Sequence, residues 1–140
     1  MEIELRSDCE DSDWRTVSET LREVGMAHYE PEIHRKAFQN SSVRVFAYDH
    51  GRLIGFGRAI SDGTYQAAIY DVAIEPGFQK RGLGTIIIND IVSRLPSCNF
   101  ILYTIPGKED FYRKLGFRKM NTGMAMFVKA DDMKLKGFTE

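Results

Sequence analysis

Apolar residues along this chain repeat in two rhythms, and each change of rhythm marks the edge of an element. Glu2 to Arg6 alternates polar and apolar residues, which predicts a first strand. Trp14, Val17, Leu21 and Val24 then fall at helical spacing, with Gly25 as the stop. Glu30 to Phe38 predicts a second, shorter helix after an irregular link. Val43 to Tyr48 and Leu53 to Ile60 are strand-like runs separated by Asp49-His50-Gly51-Arg52, the composition of a β-hairpin turn. Ser61-Asp62-Gly63 marks the next turn, and Ala68 to Glu75 reads as a buried strand.

From Thr85 to Leu95 the helical rhythm returns. Leu83, Ile86, Ile87, Ile91, Val92 and Leu95 form one apolar face, which Pro96 ends. Ile88 lies outside that stripe and predicts burial on more than one side. Phe100 to Ile105 reads as a strand. A short helix follows with Phe111, Tyr112 and Leu115, and Gly116 as its C′ cap. Met124 to Val128 reads as a last strand, and the charged segment from Lys129 onward is expected to be partly frayed. The order of elements predicts a single α/β domain over residues 1–140, a mixed sheet covered by helices.

The turn between the Ala68–Glu75 strand and the helix carries the chemistry. Gln79-Lys80-Arg81-Gly82-Leu83-Gly84 is basic and contains two glycines, at the place where a helix N-terminus adds roughly half a positive charge. Glycine has no Cβ to keep an anion from the backbone, so the segment is suited to phosphate. Two other phosphate loops fail on spacing. Gly77 and Gly82 satisfy G-x-x-x-x-G, but Leu83 and Gly84 stand where an NTPase loop has Lys and Ser/Thr; Ile87 replaces the third glycine of G-x-G-x-x-G.

The segment resembles the Q/R-x-x-G-x-G/A signature of the GCN5-related N-acetyltransferases, whose loop holds the coenzyme A pyrophosphate. Phe111-Tyr-Arg-Lys-Leu-Gly-Phe117 is similar to the F-Y-x-x-x-G-F run of many members, in the right order beyond one helix and one strand. The resemblance covers residues 43–128 and implies an acyl-CoA N-acyltransferase fold, its mixed sheet mostly antiparallel and flanked by helices. It implies acetyl-CoA as cosubstrate, held by Gln79, Lys80, Arg81, Gly82, Leu83, Gly84 and Thr85, with Val72, Ala73 and Ile74 pairing with the pantetheine amides. A main-chain N–H of that strand would polarise the acetyl carbonyl. Tyr112 would be the general acid that protonates the departing thiolate, a sensible match of two groups of similar basicity; read by itself it is an ordinary helix-face aromatic.

The general base stays open. Ala68 stands near the position of the glutamate found in histone-modifying members, which leaves Asp71, Glu75 or water. Ile105-Pro-Gly-Lys108 replaces an asparagine that contacts pantetheine in many relatives. His28 and Tyr29 fall in the region that shapes the acceptor pocket in this family, and Glu32, Asp62 and Asp71 are acids that would suit an amine there. The Gly55–Gly63 run resembles a subgroup with arylalkylamine-type members, which favours a small-molecule primary amine over a protein or peptide amine. A catalytically silent coenzyme A sensor is the other alternative.

Composition narrows the field further. The formal net charge is −1, so no global field draws the chain to nucleic acid or a membrane surface, and basic and aromatic residues do not interleave. No apolar run approaches the ~20 residues of a membrane span, and the acidic start does not resemble a signal peptide. His28, His34 and His50 lack the spacing of a metal site, so no metal is expected. Cys9 and Cys98 read as free thiols in a reducing cytoplasm. A homodimer is left open.

Overall fold

A computed structural model describes residues 2–140. The chain divides into two compact units, Met1–Leu102 and Tyr103–Glu140.

The first unit is built on a five-stranded sheet in the order β1 (Ile3–Arg6), β2 (Val43–Asp49), β3 (Arg52–Ser61), β4 (Gln66–Ile74), β5 (Asn99–Ile101). The first four strands are antiparallel to their neighbours, and β5 runs parallel to β4. The β2–β3 turn forms as its residues dictate, with His50 at φ 50° and Gly51 at φ 78°. At the β3–β4 turn Asp62 Oδ1 accepts hydrogen bonds from the N–H groups of Thr64, Tyr65 and Gln66.

Helices α1 (Trp14–Glu23) and α2 (Pro31–Gln39) cover one face of the sheet. Asp13 caps α1 by accepting from the Thr16 N–H at 3.1 Å. Val17, Leu21 and Phe38 are buried against Phe46, Phe56 and Ala73. Helix α3 (Leu83–Arg94) covers the other face. Gly55 and Gly57 let it approach: a Cβ at Gly57 would stand 3.0 Å from Ile87 and 3.3 Å from Ile91. The α3 stripe is rotated from the predicted one. Leu83, Ile87, Ile88 and Ile91 are buried, with Ile87 and Ile91 seated against the glycines of β3, whereas Ile86 is 41% exposed.

The predicted 100–105 strand is shorter, ending at Ile101. Its ladder to β4 stops at Ala68↔Ile101, just before β4 bulges: Arg58 pairs with Tyr70 and Phe56 with Ala73, so Asp71 and Val72 together oppose Gly57. A bulge of this kind increases local twist and carries the strand out of register with a parallel neighbour.

The second unit holds α4 (Glu109–Lys114) and α5 (Ala130–Leu135). Gly116 closes α4 as predicted, at φ 97°, with Phe117 N–H donating to Tyr112 O at 3.1 Å. Two expectations fail here. Met124 to Val128 pairs with no strand among the described residues, and Met124, Met126 and Val128 are more than 90% exposed while Phe127 packs on Tyr103. Alternation decides which side chains share a face, but a strand also needs a non-local ladder partner. The charged tail does not fray: α5 ends in the same closure as α4, with Phe138 N–H donating to Met133 O at 2.9 Å and the Phe138 ring against Tyr103. No helix among the described residues is long and apolar enough to cross a membrane.

Candidate active site

The site begins where β4, still paired with β3, runs past the end of its parallel neighbour β5. Val72, Ala73 and Ile74 lie beyond the last β4–β5 pair, Ala68↔Ile101. Ala73 is buried in the α1/α2 core, and Val72 leans to the α3 side, its Cγ2 3.1 Å from a Cβ built on Gly57. Past Glu75 the chain makes a single 3₁₀ turn, Pro76–Phe78, which the Glu75 carboxylate caps at Gly77 N–H. Gln79 turns its amide back to Ile74 O at 3.1 Å, closing the loop on the end of the strand.

Two left-handed residues, Lys80 at φ 64° and Gly82 at φ 82°, then reverse the chain into α3. Gly82 is the N-cap and offers no side-chain cap, and the first helical bond runs from Ile86 N–H to Gly82 O. The N–H groups of Gly82, Leu83, Gly84 and Thr85 are therefore those a helix start leaves without intrahelical acceptors. A Cβ built on Gly82 meets nothing within 4 Å, so the space beside Gly82 is open. Positive charge surrounds it. Lys80 is exposed, and the guanidinium groups of Arg52 and Arg81 lie 5.6 and 5.2 Å from the Phe78 ring centre. Open N–H groups, a helix N-terminus and clustered cations fit a pyrophosphate.

The two carboxylates considered as bases have structural partners. Asp71 sits in the β4 bulge at φ 56° and accepts from Arg58 Nε at 2.7 Å. Glu75 Oε2 is buried, 3.5 Å from Arg52 Nη2. Arg58 escaped the sequence reading, although a signal was there: it is a charge in phase with the core-facing Ile54 and Phe56. Its guanidinium donates to Ser41 Oγ at 3.2 Å and lies over the rings of Phe38 and Tyr70.

Tyr112 is on α4, in the second unit, between Phe111 and Phe117 with ring centres 4.9 and 5.7 Å away. Burial pushes its phenol above the ordinary tyrosine value, which keeps it protonated, as an acid must be. The histidines are separate. His28 Nδ1 lies 3.3 Å from Met26 O, and His50 stands beside Asp49. His34 is buried, and its Nε2 accepts from Tyr29 N–H at 2.9 Å. Burial holds His34 below the usual histidine value, against a smaller opposing pull from Asp71. Among the described residues no three His, Cys, Asp or Glu side chains gather as a metal site.

Residues 6–117, which include this strand end and helix start, match the model of the acetyltransferase (GNAT) family. The chain belongs to the acetyltransferase (GNAT) family. Among curated relatives, the uncharacterized N-acetyltransferase ycf52 of Porphyra purpurea is 33% identical over 124 residues, covering 86% of this chain and 67% of that protein. Serotonin N-acetyltransferase 2, chloroplastic, of Oryza sativa is 35% identical over 109 residues, covering 72% of this chain and 54% of that protein. The chain thus spans between half and two thirds of these relatives. The crystal structure of SA2161 from Staphylococcus aureus, described as a probable acetyltransferase, superposes with a TM-score of 0.79 at 25% identity, covering 91% of this chain and 99% of that one. The GNAT fold expected from the two motifs is therefore the fold observed, in its mixed, mostly antiparallel sheet and flanking helices.

Proposed function

We propose that this GNAT domain transfers the acetyl group of acetyl-CoA directly to a primary amine of a small molecule. The observation that carries the reading is the open N–H cradle at Gly82–Thr85, immediately after the strand Val72–Ile74. In this reading the cradle, with Gln79, Lys80 and Arg81, holds the pyrophosphate, and main-chain groups of Val72, Ala73 and Ile74 take the pantetheine amides as a strand would. The amine nitrogen attacks the thioester carbon while a β4 N–H bears the charge growing on oxygen. The C–N bond forms and the C–S bond breaks. Tyr112 gives its phenolic proton to the thiolate and is reprotonated from water. With Asp71 and Glu75 engaged by Arg58 and Arg52, water is the proposed acceptor of the amine proton. Direct transfer gives no role to a metal.

A small amine is favoured by the Gly55–Gly63 resemblance and by the serotonin acetyltransferase relative. Free thiols at Cys9 and Cys98 suit a reducing compartment such as the cytoplasm.

The test is thiol release from acetyl-CoA over a panel of serotonin, other arylalkylamines, polyamines and a lysine-containing peptide. Turnover of at least one small amine with a higher kcat/KM than the peptide supports the reading. Turnover of the peptide alone would replace it with a protein acetyltransferase. Acetyl-CoA binding with no turnover in any arm, together with a gain of about 2.7 kcal/mol at 100 times Kd, would identify a coenzyme A-binding module.

A further inference from the structure

Asp71 has a left-handed backbone although it is not glycine, and it lies inside a strand rather than a turn. Such residues persist where their surroundings over-determine them. Here the surroundings are visible. Asp71 Oδ2 accepts from Arg58 Nε at 2.7 Å, both side chains being about four-fifths buried or more. Arg58 Nη1 donates to Ser41 Oγ at 3.2 Å, and Ser41 Oγ donates to Ala37 O at 2.8 Å, in the last turn of α2. The guanidinium is flanked by Phe38 of α2 and Tyr70 of β4. An unbroken chain of polar contacts therefore runs from α2 through Arg58 to the bulge, and the next residues on the strand are Val72 and Ala73.

We propose that Asp71 is a positioning residue: its left-handed bulge, tethered by Arg58 and Ser41 to helix α2, sets the direction of the Val72–Ala73 main chain that polarises the acetyl carbonyl. This rests on the acetyltransferase reading. The physical reason is economy of aim. A regular β4 would point its N–H groups along the sheet ladder, whereas two residues opposite one turn a peptide out of it. Oxyanion stabilisation depends on that direction, and a misplacement of about 1 Å can cost about 10²-fold in rate. The tether also makes α2 part of the device, so that movement of the helix next to the bulge would be felt at the carbonyl.

The test needs no acceptor. [1-13C]Acetyl-CoA is bound to the wild type and to Asp71→Gly, Asp71→Ala, Asp71→Asn and Arg58→Lys, and the carbonyl stretch is read by difference infrared spectroscopy. Affinity for coenzyme A and melting temperature are measured alongside. In the wild type the stretch moves to lower wavenumber on binding. Asp71→Gly keeps backbone freedom but loses the tether, and Asp71→Ala loses both; each is expected to lose more than about half of that displacement while coenzyme A affinity stays within about threefold. Asparagine tolerates the left-handed region and can still accept from Arg58, so Asp71→Asn recovers displacement relative to alanine. Arg58→Lys loses displacement with Asp71 in place. Should Asp71→Ala not fold, the glycine and lysine variants carry the comparison. A full wild-type displacement in both Asp71→Gly and Arg58→Lys overturns the inference, as does a bound wild type with no displacement. Failure of the folded wild type to bind acetyl-CoA by calorimetry overturns the acetyltransferase reading itself, and this inference with it.

Discussion

Replacing Gly82 by valine separates geometry from charge at the proposed phosphate cradle. Gly82 sits at φ 82°, ψ 6°, so an L-residue there costs about 1–2 kcal/mol, with a β-branched one at the upper end. No protein atom lies within 4 Å of the new Cβ, so no clash adds to that cost and the variant folds. For a chain of 140 residues the melting temperature should fall by about 3–7 °C. In the proposed site the added side chain would stand beside the helix start, where the pyrophosphate is proposed to approach. Loss of one charge-assisted main-chain bond, worth about 1.5–3 kcal/mol, weakens coenzyme A binding by about 10–150-fold. Lys80→Ala removes an exposed, screened cation and should cost at most about fivefold. Isothermal calorimetry at two salt concentrations tests both: the Lys80 effect shrinks with salt and the Gly82 effect does not. A larger loss for Lys80→Ala than for Gly82→Val, with both proteins folded, would refute the placement of the pyrophosphate on the helix start.

Three further outcomes follow from other parts of the molecule. Tyr112→Phe should lower kcat by about 10²–10⁴ with little change in acetyl-CoA affinity, since the hydroxyl acts as the thiolate develops. Because burial raises the Tyr112 value, the wild-type rate should hold past about pH 10 before its high-pH limb, and undiminished kcat in the variant would make Tyr112 a packing residue. His34 is held below its ordinary value by burial, so its share of stability is present above about pH 6.5 and is lost as pH falls through the folded value, when the unfolded chain binds the extra proton. Melting temperatures at about pH 7.5 and 5.5 should show a drop in the wild type that is smaller in His34→Gln; equal drops would contradict this. Gly57→Ala should destabilise by about 1–3 kcal/mol in urea titration, because its Cβ meets Ile87 at 3.0 Å and Val72 at 3.1 Å, and unchanged stability would mean that α3 can move aside.

The local signals in the sequence were the ones fixed by covalent chemistry. Gly51 and Gly116 adopt the left-handed conformations their turn and cap positions suggested, since glycine carries no steric penalty there. Asp13 and Asp62 cap and turn the chain through hydrogen bonds a few residues long. The strand–turn–helix that carries the proposed phosphate loop was legible for the same reason: all its parts are adjacent in sequence. What the sequence did not decide was non-local. The alternation at Met124 to Val128 named a face but no ladder partner, and the 100–105 strand stopped at Ile101 because β4, distant in sequence, bulges at Asp71. The burial of Ile88 and the exposure of Ile86 on α3 were set by what packs around the helix, which its own spacing does not encode. Asp71 read as a candidate base, and the sequence reading singled out neither Arg58 nor Ser41. Only the pairing of β3 with β4, and the packing of α2 over both, brought them within hydrogen-bond reach, because direction and distance between residues far apart in sequence are set by the tertiary fold.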